Sequence, residues 1–409
     1  MGTGGSVVVG VRPADRVAGV KSSAVTSVVL AGGGTAGHVN PLLAVADELR
    51  SREPEARVLA LGTTSGLEAE LVPARGYRLW PVPRVPLPRR PSVDLLRLPG
   101  RLTAAVRAAE AAIDEIDAQA VVGFGGYVST PAYLAARRRG VPVVIHEQNA
   151  RPGLANKLGA RWAARVGATF PGTTLPGAQV VGLPLRAEIS ALVAERERDA
   201  AGARVRAADA LGLDATLPTL VVTGGSSGAA SVNAALAGAV DALLGAGVQV
   251  LHLTGKGKDG PVRTAVETAT AAGAHEASRY QVREYLSEMH LALAVADLVV
   301  ARSGAGTVCE LAALGVPAVY VPLPIGNGEQ RLNAAPLVEA GGGLLVDDAD
   351  LTPAWVAQQV PALLADRDRL GGMAAAARAA GVRDAAARVA DLVGEAVAES
   401  GRTSTGQQA

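Results

Sequence analysis

A chain of 409 residues, 49% hydrophobic but only 3% aromatic, has room for two full-sized domains whose cores are built from Ala, Val and Leu. Its net charge of +1 argues against bulk nucleic-acid binding, so any basic surface is local. The single cysteine, Cys309, excludes an internal disulfide and fits a reducing compartment, and no run of 18 apolar residues is available to span a bilayer as a helix.

Residues 1 to 25 lack the cationic start, long apolar run and cleavage site of a signal peptide, and read as a poorly ordered extension. Val25 to Ala31 is apolar and β-branched, a first strand. The glycine turn GGGTAGH (Gly32 to His38) follows, then a helical pattern from Leu42 to Arg50, with Pro41 expected in its first turn. Strands are expected at Val58 to Leu61 and within Gly76 to Val82. The next stretch interleaves Arg84, Arg89, Arg90, Arg97 and Arg101 with Val85, Leu87, Leu95, Leu96 and Leu98. It reads either as a basic, apolar loop resting on an anionic membrane or as a proline-rich connection with solvated arginines.

A strand at Ala120 to Val122 leads into GFGGYVS (Gly123 to Ser129), and one at Val141 to Ile145 ends in HEQNA (His146 to Ala150). Four polar residues at the carboxyl end of a strand mark a site in an α/β fold. GLPLR, ending at Arg186, reads as a crossover between domains, and residues 187 to 216 as a charged helix broken near Gly212. The second half then repeats the opening. A strand (Leu220 to Thr223), a glycine turn (Gly224 to Ala229) and a helix (Ser231 to Leu244) echo Val28 to Leu49, which suggests two Rossmann-like domains facing each other. Strands follow at Val248 to Leu253 and Tyr280 to Val282.

The most informative stretch is Val299 to Asn333. A buried strand ends in the small-residue turn Arg302 to Thr307, and a helix runs from Val308 to Leu314. A strand at Ala318 to Pro322 breaks into the polar loop Gly326 to Gln330. A glycine-rich turn at a helix start presents free N–H groups to an anion. Glu310, a turn into the helix, can accept bonds from ribose hydroxyls, and Gln330 offers both a donor and an acceptor. A nucleotide carrying a sugar fits this set, as does an ordinary βαβ unit with a polar loop. Pro353 to Glu399 reads as two or more Ala-rich helices, and the polar tail from Gly401 as disordered.

A dinucleotide site needs an acidic residue closing the second strand, and Gly62-Thr63-Thr64-Ser65 stands there instead. The GxxxxGK[ST] lysine of ATP hydrolysis is absent, and no His or Cys cluster has metal-ligand spacing, so neither a cofactor nor a metal is expected.

GGGTAGH, GFGGYVS, HEQN, GLPLR, GGSSGA, RSGAGTVCE and GNGEQRLNA follow one another in the order of the MurG family, which the chain resembles over residues 26 to 395, most closely in an actinobacterial form. The resemblance implies the GT-B fold, α/β with two Rossmann-like domains across a deep cleft: 26–185 on the acceptor and membrane side, 186–380 for the donor, and a helix at 381–400 packing back on the first domain. It implies inverting transfer of N-acetylglucosamine from UDP-N-acetylglucosamine to the 4-hydroxyl of the muramoyl sugar of lipid I, giving lipid II on the cytoplasmic face of the membrane. Carried over by motif, Thr35, Ala36 and Gly37 line the donor's sugar side of the cleft, and Asn149 and Gln330 meet the N-acetylglucosamine hydroxyls. Arg186 and Ser226 take the diphosphate, and Leu286 lies against the uracil. Ala305, Gly306, Thr307, Val308, Cys309 and Glu310 form the diphosphate and ribose loop. His38 is the expected base, with Glu147 as its rival. Ala36 stands where many members have glycine, and Glu329 where glutamine is common. Another GT-B transferase, a sugar-nucleotide epimerase and a nucleotide-sugar sensor are the competing readings.

Overall fold

The computed structural model describes residues 24–85, 93–271 and 275–406. The amino-terminal extension through Ser23, the part of the arginine-rich stretch from Pro86 to Ser92 and the last three residues lie outside the described residues.

Two all-parallel sheets carry the fold. The first contains β1 (Ser27–Ala31), β2 (Arg57–Gly62), β3 (Arg78–Pro81), β4 (Ala120–Gly123), β5 (Val143–Glu147), β6 (Arg165–Ala168) and β7 (Ala178–Val180), in the order β3-β2-β1-β4-β5-β6-β7. The second contains β8 (Thr219–Thr223), β9 (Gln249–Leu253), β10 (Tyr280–Arg283), β11 (Leu298–Ala301), β12 (Ala318–Tyr320) and β13 (Gly343–Leu345), in the order β10-β9-β8-β11-β12-β13. Helices α1 (Ala36–Arg52), α2 (Glu68–Ala74), α3 (Val93–Glu115), α4 (Ser129–Arg139) and α5 (Leu154–Gly159) connect the first sheet. α6 (Ala187–Leu211), α7 (Ala230–Ala237), α8 (Val240–Gly245), α9 (Gly260–Thr270), α10 (Met289–Val295), α11 (Ala305–Leu314) and α12 (Glu329–Glu339) belong to the second. α13 (Pro353–Ala365), α14 (Arg367–Ala380) and α15 (Ala385–Gly406) close the chain.

Sheets covered on both faces need strands that are apolar throughout, and Ser27–Ala31 and Leu298–Ala301 are buried at every position. Each sheet therefore has a core on either face. The second sheet packs α6, α10 and α11 on one side and α7, α8 and α13 on the other. The first packs α3 and α4 on one side and α1 on the other, where α15 joins it through Val389, Leu392 and Val393. The last helix thus crosses back to the first domain, tied by Arg165 to Glu395 at 2.8 Å and to Glu399.

Five local expectations change. α1 begins at Ala36, directly after an extended Thr35, so Pro41 lies in its second turn. α11 likewise begins at Ala305, which puts Gly306 and Thr307 in its first turn. The single helix expected over 231–244 breaks at Gly238-Ala239, where Pro353 approaches too closely for a side chain on Gly238. The arginine-rich stretch is part helix from Val93. Val85 is only 6% exposed and Leu98 packs on the same core, so neither apolar residue is free to face a membrane. The tail expected to be disordered is helical through Gly406, as a polar extension of α15.

The chain passes between domains twice, and the two crossovers touch. Gly182 has φ +82°, and a Cβ there would lie 2.6 Å from Val382 Cβ. Gly182→Ala combines left-handed backbone strain with overpacking, so we expect a loss of about 2–4 kcal/mol in urea unfolding.

Candidate functional site

In an open parallel sheet the ligand crevice lies where the strand order reverses. That point falls between β1 and β4 in the first sheet and between β8 and β11 in the second. The glycine turns leave the sheets at these strands.

In the first domain the turns after β1 and β4 pack on each other. A Cβ on Gly126 (φ +79°) would stand 2.5 Å from the Gly33 carbonyl oxygen, and one on Gly125 3.0 Å from His38 Nε2. Thr35 stands at the N-cap position of α1 with no side-chain bond to the helix backbone, and its Oγ1 lies 2.9 Å from His38 Nδ1. Burial lowers the His38 pKa below the ordinary imidazole value; the Gly33 carbonyl and the Glu68 charge oppose this and are outweighed. Ala36 and Gly37 form the first turn of α1, with Gln148 across from Gly37.

The polar end of β5 turns inward more than its sequence suggests. His146 is fully buried and bonds the Gly182 carbonyl at 2.9 Å; burial pushes its pKa down to about 4, so it is neutral. Glu147 is buried and accepts from Asn149 N (3.0 Å), Gly153 N (3.0 Å) and Asn156 Nδ2 (2.9 Å). Burial raises its pKa, against these hydrogen bonds. Its carboxylate holds the 149–153 loop in place.

In the second domain the turn after β8 exposes Ser226. It is held from behind, since Lys258 Nζ donates to the Ser227 carbonyl at 2.7 Å and a Cβ on Gly228 would meet the Thr254 oxygen at 2.1 Å. Arg302 anchors the turn after β11 by donating to the Val321 and Pro322 carbonyls at 3.2 and 3.0 Å and pairing with Asp348 at 2.5 Å. The backbone of Ala305 to Thr307 thereby opens α11 with its first N–H groups free of intrahelical bonds. Val308 is buried, and burial pushes the Cys309 thiol far up, which makes it inert at neutral pH. Glu310 and Arg186 form a bidentate pair, Nε–Oε1 and Nη2–Oε2 both 2.7 Å. Burial works against the Arg186 charge, but the Glu310 hydrogen bonds more than offset it and raise its pKa. Leu286 lies half-buried on the same core.

Two features depart from the sequence reading. Gln330 Oε1 already accepts from Leu323 N at 3.0 Å, which leaves its amide nitrogen and one remaining acceptor site for a ligand. Asn333 bridges the two domains: its Oδ1 accepts from Ala150 N at 2.9 Å, and its Nδ2 approaches Asn149 Oδ1 at 3.4 Å. Asn333 stands inside the GNGEQRLNA motif, yet its reach across the domains was not readable from the sequence. Glu68, fully buried behind the first glycine turn, was missed as well.

Residues 28–168 match the glycosyltransferase family 28 N-terminal domain and residues 219–389 the C-terminal domain of that family. A UDP-N-acetylglucosamine--N-acetylmuramyl-(pentapeptide) pyrophosphoryl-undecaprenol N-acetylglucosamine transferase of Paenarthrobacter aurescens (strain TC1) is 56% identical over 91% of this chain and 96% of its own. The crystal structure of Acinetobacter baumannii MurG superposes with a TM-score of 0.69 at 31% identity, covering 90% of this chain and 99% of that one. A Neisseria meningitidis UDP-GlcNAc 2-epimerase bound to UDP-GlcNAc superposes at 0.66 with 14% identity over 90% of this chain and 99% of its own, which is a likeness of fold alone. Matching models in both domains, more than half identity along nearly the whole length and a two-sheet GT-B architecture establish that the chain belongs to glycosyltransferase family 28, within its MurG branch.

Proposed function

We propose that the chain transfers N-acetylglucosamine from UDP-N-acetylglucosamine to the 4-hydroxyl of the N-acetylmuramoyl sugar of lipid I, with inversion, to form lipid II. The observation that carries this is the pair of glycine turns at the switch points of two sheets, joined across the domains by Asn333. One side offers N–H groups to a diphosphate, and the other offers a neutral histidine to an acceptor.

The donor's diphosphate lies at Ser226 and the first turn of α11, with Arg186 beside it and Glu310 on the ribose. Leu286 supports the uracil. Asn149 and the Gln330 amide meet the sugar hydroxyls, with Thr35, Ala36 and Gly37 across the cleft. The acceptor oxygen attacks the anomeric carbon as the bond from that carbon to the β-phosphate oxygen breaks, through a transition state with oxocarbenium character. The leaving UDP gains charge, which helix N-termini and backbone amides stabilise. His38 takes the acceptor's proton on Nε2 when Nδ1–H donates to Thr35 Oγ1. We assign Glu147 to holding the 149–153 loop rather than to proton transfer, since its two oxygens already accept three hydrogen bonds.

The acceptor is lipid-linked, so the enzyme works peripherally on the anionic cytoplasmic face of the membrane. No helix among the described residues is long and apolar enough to cross it. The test is transfer of labelled N-acetylglucosamine to a short-chain lipid I analogue with EDTA present. The expected result is a disaccharide product at an undiminished rate. UDP release without that product would falsify the acceptor assignment, and loss of rate in EDTA the metal-free one.

A further inference from the structure

We infer that Glu68 is a positioning residue for the acceptor side of the cleft: its carboxylate fixes the turn that presents Thr35 and His38. The inference rests on the acceptor reading of that turn given above.

Glu68 stands at the start of α2, six residues past the end of β2. Its side chain is fully buried. One oxygen accepts from Thr63 N at 3.0 Å and Thr63 Oγ1 at 2.8 Å, and the other accepts from Gly34 N at 3.0 Å. Among the described residues no cation pairs with it. A buried, unpaired carboxylate is costly, and it persists only where its hydrogen bonds fix something.

The surrounding glycines make room for this group. A Cβ on Gly33 would meet Glu68 Oε1 at 2.8 Å, one on Gly62 its Cγ at 2.5 Å, and one on Gly66 its Oε2 at 2.2 Å. None of the three adopts a left-handed backbone conformation, unlike Gly34 at φ +88°. They are therefore glycine for volume, not conformation, and together they form a socket shaped to a carboxylate. What the carboxylate grips is the Gly34 amide, one residue before Thr35 at the start of α1. Thr35 in turn bonds His38. A path of hydrogen bonds and short backbone thus runs from Glu68 through Gly34 and Thr35 to the imidazole. The donor residues of the second domain take no part in it.

The test uses the full chain with Glu68→Gln, which keeps the shape but turns an amide N–H toward a donor, and Thr63→Val, which removes one donor and leaves the Gly34 bond. Hydrogen exchange is read by mass spectrometry over residues 32–38 without substrates. The kcat/KM for the lipid I analogue and the Kd for UDP-N-acetylglucosamine are read separately. For Glu68→Gln we expect exchange about tenfold faster and acceptor kcat/KM about 10–100-fold lower. Donor Kd should stay within about twofold, and Thr63→Val should show the same pattern at about threefold. Unchanged exchange in folded Glu68→Gln overturns the proposal, as does an equal loss of donor affinity. If Glu68→Gln does not fold, wild-type exchange and kinetics in Thr63→Val overturn it. Faster exchange with unchanged acceptor kinetics shows that Glu68 holds the turn but that the acceptor binds elsewhere; the acceptor reading then fails, and the proposal with it.

Discussion

His38→Ala lowers kcat for transfer by about 10²–10⁴ while leaving the Kd for UDP-N-acetylglucosamine near the wild-type value. The asymmetry follows from the architecture. His38 is held on the first domain between Thr35 and the Gly125 turn, whereas the proposed diphosphate site at the start of α11 belongs to the second. Its depressed pKa gives the pH profile a direction. A general base works as neutral imidazole, so activity is full above the folded-state pKa and falls as pH drops through it. Because burial sets that pKa below 6.5, the acid limb of kcat/KM lies below the ordinary imidazole range. In His38→Ala this limb disappears from the residual activity. Thr35→Val, which removes the Nδ1 partner, should keep the limb but lower kcat by about tenfold through loss of the productive tautomer. A His38→Ala enzyme with near-wild-type kcat removes the base assignment, and one with a large loss of donor affinity shows that the histidine serves the nucleotide instead.

Glu310→Ala is expected to raise the KM for UDP-N-acetylglucosamine by about 10–100-fold, with kcat at saturating donor changed by less than about threefold. Two losses combine. The ribose hydroxyls lose their acceptor, and Arg186 loses a bidentate partner in a pair only 27% and 13% exposed. A charge left without its partner in such a place costs more than a surface ion pair returns, though less than a fully buried one. Arg186→Lys should not behave as a conservative change, because an ammonium cannot reproduce two parallel bonds of 2.7 Å to one carboxylate. The pair also means that Glu310 is already occupied when no donor is present. Arg186→Ala frees Glu310 for the ribose while removing a charge from the diphosphate. The two single substitutions and the double therefore form a cycle whose coupling separates the two roles. Donor KM values that do not move in either single variant place the nucleotide elsewhere.

Parallel sheets made the architecture legible. Strands covered on both faces must be continuously apolar, so Val28 to Ala31, Leu220 to Thr223 and Leu298 to Ala301 stood out, each followed by its turn. Short and mixed elements did not. β6 (Arg165–Ala168), between β5 and β7, and β13 (Gly343–Leu345), at the edge of the second sheet, are too brief for a periodic signal. Val85 looked lipid-facing because its neighbours are prolines and arginines, and only the packing shows that it fills the core under α3.

The sequence by itself determined the two-domain α/β class, the turns that present amides and the motif order that identifies the family, because these depend on local periodicity, backbone freedom and spacing along the chain. Tertiary structure alone decided which polar groups remain free to meet a ligand. Glu147 and His146, polar residues at the end of β5, are hydrogen-bonded to the 149–153 loop and to the Gly182 crossover. Gln330 gives one acceptor site to the Leu323 backbone, Asn333 reaches across to the other domain, and Glu68 stands behind the first glycine turn. A hydrogen-bond partner is set by what folding brings alongside in space, here from as few as two and as many as 183 residues away, and no spacing along the chain encodes it.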